Sequence, residues 1–417
     1  MGGQAAADLH YAAVGGVDMH APIASKAPSA GWCQPEHQIF RATVQRFIRE
    51  EIDPFHAQWE RDGQVPRALW QRAGECGLLC LGIPTCYGGA GADFGFSAVL
   101  AEEMARAGAT GPLFYLHSDI VAPYLLHYGS EAQKIHWLPR MARGEVIAAI
   151  GMSEPGAGSD LASIRTRAVR EAAADTAEGW RWRVDGQKIF ISNGQIANLL
   201  LLAAKTDPAS GARGVSLLLV DTDAEGFSRG RRLDKLGMHA QDTSELFFDA
   251  LRLPADRLLG EEGKGFSYLM RELAQERLLV AIVAVASMEA AVEWSRSYLQ
   301  QRHAFGAALS ERQVLRHRLV EVHADTCVAR AFLDRCIMSH LDGQLDASTA
   351  SMAKYWCSEM QFAVLDRCLQ FFGGYGYMRE YPIARAWADA RVQRIYGGTT
   401  EIMKEIIARD LLGPGGR

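Results

Sequence analysis

Between residues 38 and 144, apolar side chains recur at three- and four-residue spacing. Phe40, Val44, Phe47 and Ile48 mark one stripe, and Leu100, Met104 and Ala107 mark another. That period predicts amphipathic helices, punctuated at Pro54, Pro84, the glycine-rich 88–91 segment and Pro112. At Glu145 the texture changes. Segments 146–150, 180–184, 188–191, 199–203 and 215–220 are short apolar or β-branched runs, which predict strands. Asp185-Gly186 and Asp207-Pro208 read as turns between them. Nothing helical separates these runs, so an antiparallel β-sandwich or barrel is expected rather than a doubly wound sheet. Beyond Pro254 the helical period returns over 265–302, 310–341, 347–372 and 381–412, with a break at Gly397-Gly398. The pattern predicts an α+β chain. A loose leader over 1–35 precedes a helical domain over 36–144, a β-domain over 145–255 and a four-helix bundle over 256–417.

Composition narrows the classes of function. The 417 residues are 48% hydrophobic and 22% charged, enough apolar material for a large core and too much for a disordered chain. A net charge of -5 argues against gripping nucleic acid or an anionic membrane through charge. The longest strongly apolar run, 278–286, is under half of the ~20 residues needed to cross a bilayer, and no membrane span is expected. Cys76, Cys80 and Cys86 have neither zinc-ligand spacing nor a disulfide pattern. They read as free thiols in a reducing compartment, and no metal is expected. Residues 1–35 hold one lysine and no arginine, unlike a secretory or transit signal. A cytoplasmic, bacterial protein is expected.

Several signatures are absent: no G-x-G-x-x-G follows a strand, and there is no Walker loop, H-E-x-x-H or G-x-S-x-G. The richest segment is 151–160, with three glycines, two serines and two acids. Its backbone N–H groups suit close approach to a flat or anionic ligand, and an ordinary long turn is the plain alternative. In 186–194, Phe190 and Ser192 fall on one face by strand alternation. Arg302 ends a long helix and Gln313 opens the next. Arg302 suits a ligand contact or, more simply, the helix dipole. Segment 370–377 is a glycine- and aromatic-rich helix stop, and Thr399 or Thr400 is positioned to cap the last helix.

Taken together, four motifs resemble those of the acyl-CoA dehydrogenase family: Ser-Glu-Pro-Gly-Ala-Gly-Ser-Asp (153–160), Lys-Leu-Gly-Met-His-Ala-Gln-Asp-Thr-Ser-Glu-Leu (235–246), Arg-x-x-Phe-Gly (302–306) and Tyr-Gly-Gly-Thr-Thr-Glu-Ile (396–402). The resemblance runs over 38–412. It implies FAD, an acyl-CoA or acyl carrier protein thioester, a homotetramer, and electron-transferring flavoprotein as acceptor, in fatty acid β-oxidation. It also implies flavin contacts at Met152, Ser153, Phe190 and Ser192, with Thr399 and Glu401 in the turn beside the cofactor. Arg302, Gln313, Gln370, Gly373 and Gly374 are implied to hold the rest of FAD across a subunit boundary, and Ser159, Arg277 and Gly397 to contact substrate. Ala307 departs from the lysine often found at that place, and Ala274 from an acid that contacts the CoA arm.

The base is implied at Glu276. Many family members carry their catalytic glutamate where this chain has Gly397, whereas the long-chain and isovaleryl branches place it on the helix that opens the C-terminal domain. Local periodicity agrees, since Glu276 shares a helix face with Leu269, Leu273, Val280 and Val283. Burial there would raise its pKa toward the working pH of a general base. A surface glutamate paired with Arg277 is the plain alternative, and Glu272 and Glu289 are the other acids of this helix to weigh. The implied reaction takes the α-proton onto Glu276 and the β-hydrogen as hydride to flavin N5. An acyl-CoA oxidase and a non-catalytic thioester binder share many of these motifs.

Overall fold

The computed structural model describes residues 31–413. Most of the 1–35 leader lies outside them. Trp32 is described, and it is buried and donates its indole N–H to Asp334. The α+β class is the one observed. Helices α1 (Pro35–Phe47), α2 (Asp53–Asp62), α3 (Arg67–Glu75), α4 (Phe94–Arg106), α5 (Ala122–Tyr128) and α6 (Glu131–Ala142) come first. Caps define their starts: Asp93 accepts from Gly95 N–H at α4, and Ser130 and Gln133 form a capping box at α6. Helix α3 stops at Glu75, so Cys76 and Cys80 are not one helical turn apart. Cys80 is buried in the following loop, Cys76 is half-buried and Cys86 exposed.

The strands are β1 (Ala148–Gly151), β2 (Arg167–Ala172), β3 (Trp180–Ser192), β4 (Leu199–Lys205), β5 (Val215–Asp221), β6 (Phe227–Arg232), β7 (Thr243–Pro254) and β8 (Leu258–Leu259). They form one path, β6-β7-β3-β2-β4-β5-β8, with β1 on β4. The β2–β4 link is a single parallel pair, Arg167 with Lys205, and β1 also runs parallel to β4. Otherwise the pairing is antiparallel. Strand β4 is buried throughout: Leu199, Leu201 and Ala203 face the helices, while Leu200, Leu202 and Ala204 pack toward Trp182, Val184 and Phe248 of the other half-sheet. The expected turn at Asp185-Gly186 is instead a bulge inside β3. Gly186 has φ +151°, and the pairing with β7 slips between Val184 and Gly186.

The bundle comprises α7 (Gly265–Gln301), α8 (Gln313–Leu341), α9 (Ala347–Phe371), α10 (Pro382–Ala390) and α11 (Thr400–Leu412). Helix α7 is long and apolar enough to cross a bilayer, but 78% of its apolar window is buried inside the fold. It is the axis of a core that also takes in Ala98, Val99 and Ala101 of α4.

Candidate active site

Glu276 sits near the start of α7, on a stripe with Leu269, Leu273 and Val280, all buried. Only 6% of it is exposed. Among the described residues it has no ion pair. Its one hydrogen bond is a long one, 3.3 Å, from the Tyr124 hydroxyl on α5. Burial pushes its pKa from 4.5 up to about 7, against the pull of Tyr124 and the Arg277 charge. A carboxylate that titrates near neutrality in an apolar setting is suited to proton abstraction.

The other acids of α7 are engaged elsewhere. Glu272 accepts from His127 (2.9 Å) and Tyr128 (2.8 Å); burial pushes its pKa up, but those bonds outweigh it and hold it below the usual carboxylate range. Glu289 lies in an ion-pair network with Arg106 and Arg330. Arg277 is buried toward α9, donating to Ser351 at 3.2 Å, with its Nε unpaired.

Gly397 comes within reach of the base through the same stripe. Its φ is +65°, a left-handed conformation open to glycine. A Cβ there would meet only Val280, at 3.8 Å, and Val280 is one helical turn beyond Glu276. The turn is tied down by Lys354 of α9, which is fully buried and donates to the Gly398 carbonyl at 2.6 Å. Burial, with Arg277 nearby, lowers the Lys354 pKa to about 8.

The 151–160 loop is fixed from β3. Lys188, also fully buried, donates to the Met152 carbonyl (2.9 Å) and to Glu154 (2.8 Å). Glu154 in turn accepts from the N–H groups of Arg165 and Thr166. Ile189 N–H bonds the Ser153 carbonyl at 3.0 Å. Met152 packs on the apolar cluster that holds Tyr124 and Leu269, so the loop lies at the Glu276 end of α7. Phe190 sits in a second irregularity of β3, between Lys188 and Ile191, at φ +61°. Simple alternation therefore does not relate Phe190 to Ser192. The backbone turns the Phe190 ring outward, 66% exposed, while Ser192 is half-buried. Ser159 is exposed, and side chains at Gly156 or Gly158 would meet nothing within 4 Å. An outward aromatic face, two half-buried serines and an open glycine loop fit a flat ligand such as a flavin ring.

Arg302 lies elsewhere. Twenty-six residues of continuous helix from Glu276 amount to ~39 Å. There Arg302, Gly373 and Gly374 line a cavity of about 460 Å³ with Tyr298 and Tyr375. Neither Gly373 nor Gly374 has an atom within 4 Å of a built Cβ. Gln313 opens α8 and Gln370 ends α9; both are exposed and neither lines that cavity. Thr399 caps α11, accepting from Ile402 N–H at 3.4 Å, and Glu401 is exposed in its first turn. One chain thus assembles two separate groups. Tyr124, Lys188 and Lys354 were not legible as site residues, although Lys354 falls on a buried α9 row with Ala350, Cys357 and Gln361 and so carries the same signal as Glu276.

Family models match the chain at 34–145 (acyl-CoA dehydrogenase, N-terminal domain), 149–251 (middle domain) and 263–412 (C-terminal domain). The long-chain specific acyl-CoA dehydrogenase of Sus scrofa mitochondria is 50% identical over 379 residues, 90% of this chain and 86% of that protein. A crystal structure of acyl-CoA dehydrogenase from Geobacillus kaustophilus superposes with TM-score 0.88 at 47% identity, covering 92% of this chain and 100% of that one. A glutaryl-CoA dehydrogenase from Mycobacterium smegmatis in complex with FADH2 superposes with TM-score 0.83 at 27% identity, covering 91% of this chain and 95% of that one.

Proposed function

The chain belongs to the acyl-CoA dehydrogenase family of flavin-dependent oxidoreductases, and from that premise we propose that it converts a saturated acyl-CoA to the trans-2-enoyl-CoA with Glu276 as the base. The observation that carries the reading is the meeting of a buried, near-neutral carboxylate with the empty side-chain position of Gly397 across Val280. Met152, Ser153, Phe190, Ser192, Thr399 and Glu401 would hold FAD, whose N5 supplies the hydride acceptor when it is bound. Glu276 takes the α-proton. The Gly397 N–H, held by the Lys354–Gly398 bond, is the donor placed for charge developing on the thioester oxygen. Ser159 faces solvent, where the CoA arm would enter. Arg277, turned toward Ser351, acts on substrate through its charge beside Glu276.

Arg302, Gln313, Gln370, Gly373 and Gly374 reach a cofactor only from a neighbouring subunit, because ~39 Å separates Arg302 from Glu276. Phe305, 98% exposed beside that group, and the exposed Val314 and Val320 of α8 support such an interface. We therefore assign a homotetramer with electron-transferring flavoprotein as its acceptor. A long or branched acyl chain is favoured, since Gly397 leaves side-chain volume free and the pig relative is named long-chain specific.

Anaerobic flavin bleaching by a long-chain acyl-CoA tests the base. Glu276→Gln should retain FAD and substrate but slow bleaching by ~10²–10⁴. Glu276→Gly with Gly397→Glu should recover part of the rate, less the ~1–2 kcal/mol of a non-glycine residue in left-handed backbone. Near-normal bleaching by Glu276→Gln would falsify the assignment.

A further inference from the structure

The Glu276 stripe of α7 continues through Val280, Val283 and Ser287, at positions i+4, i+7 and i+11. Val283 and Ser287 line a narrow cavity bounded also by α4, α9, α10 and Tyr396, the neighbour of Gly397. On the proposed function, an acyl chain whose α-carbon meets Glu276 extends along this stripe into that cavity. Much of the wall is apolar, including Met104, Leu113 and Ala386.

Polar groups interrupt it. Gln361 of α9 and Gln393 are 2% and 4% exposed, and the side-chain carbonyl oxygen of each has no hydrogen-bond partner. Both line the same cavity. Asp389 in the same wall is already satisfied, by Met238 N–H and by the Thr110 hydroxyl at 2.9 Å. The Tyr115 and Tyr396 side chains adjoin each other, and Ser287 adds a hydroxyl. Buried amide oxygens are ordinarily paired. Two unpaired acceptors in one cavity at the end of an acyl path are the complement of a donor that the ligand brings. A plain hydrocarbon tail has none.

We propose that the acyl chain accepted by this enzyme carries a hydroxyl in its distal part, donated to Gln361 and Gln393. The inference rests on the proposed function. Val283 and Ser287 lie ~10 and ~16 Å beyond Glu276 along α7. At about 1.3 Å of extended chain per carbon, the hydroxyl falls at roughly the tenth to fifteenth carbon.

The test uses the holoenzyme and two thioesters of about sixteen carbons, one plain and one hydroxylated near the twelfth, in roughly the range set by helix rise. Calorimetry on Glu276→Gln protein, which binds without turning over, should give a Kd roughly ten-fold or more lower for the hydroxylated chain. Gln361→Met with Gln393→Met in that background should abolish the preference while keeping or improving binding of the plain chain. Equal affinity of the unaltered cavity for both chains overturns the inference, and so does a preference that survives the paired methionines. If the methionine variant does not fold, the comparison in the unaltered cavity decides alone. Bleaching of active enzyme separates the premises: plain and hydroxylated chains reacting equally well overturns this inference only. Bleaching by neither overturns the proposed reaction and this inference with it.

Discussion

At the residue scale, the most consequential group is one carboxylate held where carboxylates are usually excluded. Burial raises Glu276 from 4.5 to about 7. Its folded pKa lies above the unfolded value, so the stability it contributes is full below about 4.5 and disappears as pH rises through about 7. Above that point the ionised form costs the fold about 3 kcal/mol. Glu276→Gln removes the titration, so the variant should melt higher than the parent near pH 8 and no higher near pH 5, by roughly that margin. Scanning calorimetry at the two pH values checks this, and a pH-independent difference contradicts it. Catalysis demands the opposite form, and flavin reduction by the parent should therefore rise with pH through about 7. Stability and activity are opposed at this one side chain.

At the scale of elements, two buried lysines fix the loops that surround the base. Lys188 reaches from β3 to the 151–160 loop, and Lys354 from α9 to the turn before α11. The Lys188–Glu154 pair is almost fully buried, and burial with only partial compensation lowers the Lys188 pKa to about 8. Removing one partner strands the other charge. Lys188→Met should destabilise by about 3–5 kcal/mol and weaken FAD retention, whereas Lys188→Met with Glu154→Gln should recover much of the stability. Urea unfolding of both variants checks this. A double variant as unstable as the single would show that the lysine acts by packing alone.

At the scale of the whole molecule, the N-terminal helices and the bundle share one core and one ion network. Glu102 and Glu103 of α4 pair with Arg41 of α1 and Arg106. Arg330 of α8 pairs with Glu102, Glu289 and Asp334. The surrounding arginines outweigh burial and hold the Glu102 pKa at about 2. With α4 also embedded against α7, these parts should unfold together. Arg330→Met should lower stability by about 3–5 kcal/mol and leave a single unfolding transition by circular dichroism and by tryptophan fluorescence alike. Separate transitions for the two signals would contradict a common core.

The sequence by itself determined what depends on short-range period. Helical stripes, the apolar runs of β3, β4 and β5, and Glu276 on an apolar row can all be read within a few turns of chain. Family motifs added the cofactor and the reaction class. Strands β2, β6 and β7 carry arginines and acids among their apolar positions, and no apolar run marks them. The tertiary structure decided the rest, because the deciding contacts join distant residues. Tyr124 and Glu276 are 152 positions apart, and Lys354 and Gly398 are 44 apart. No periodicity encodes such pairings. They follow from how β4 is buried on both faces and how α7 threads the core. The length of α7 also separates Arg302 from Glu276, because a rigid helix converts sequence distance directly into space.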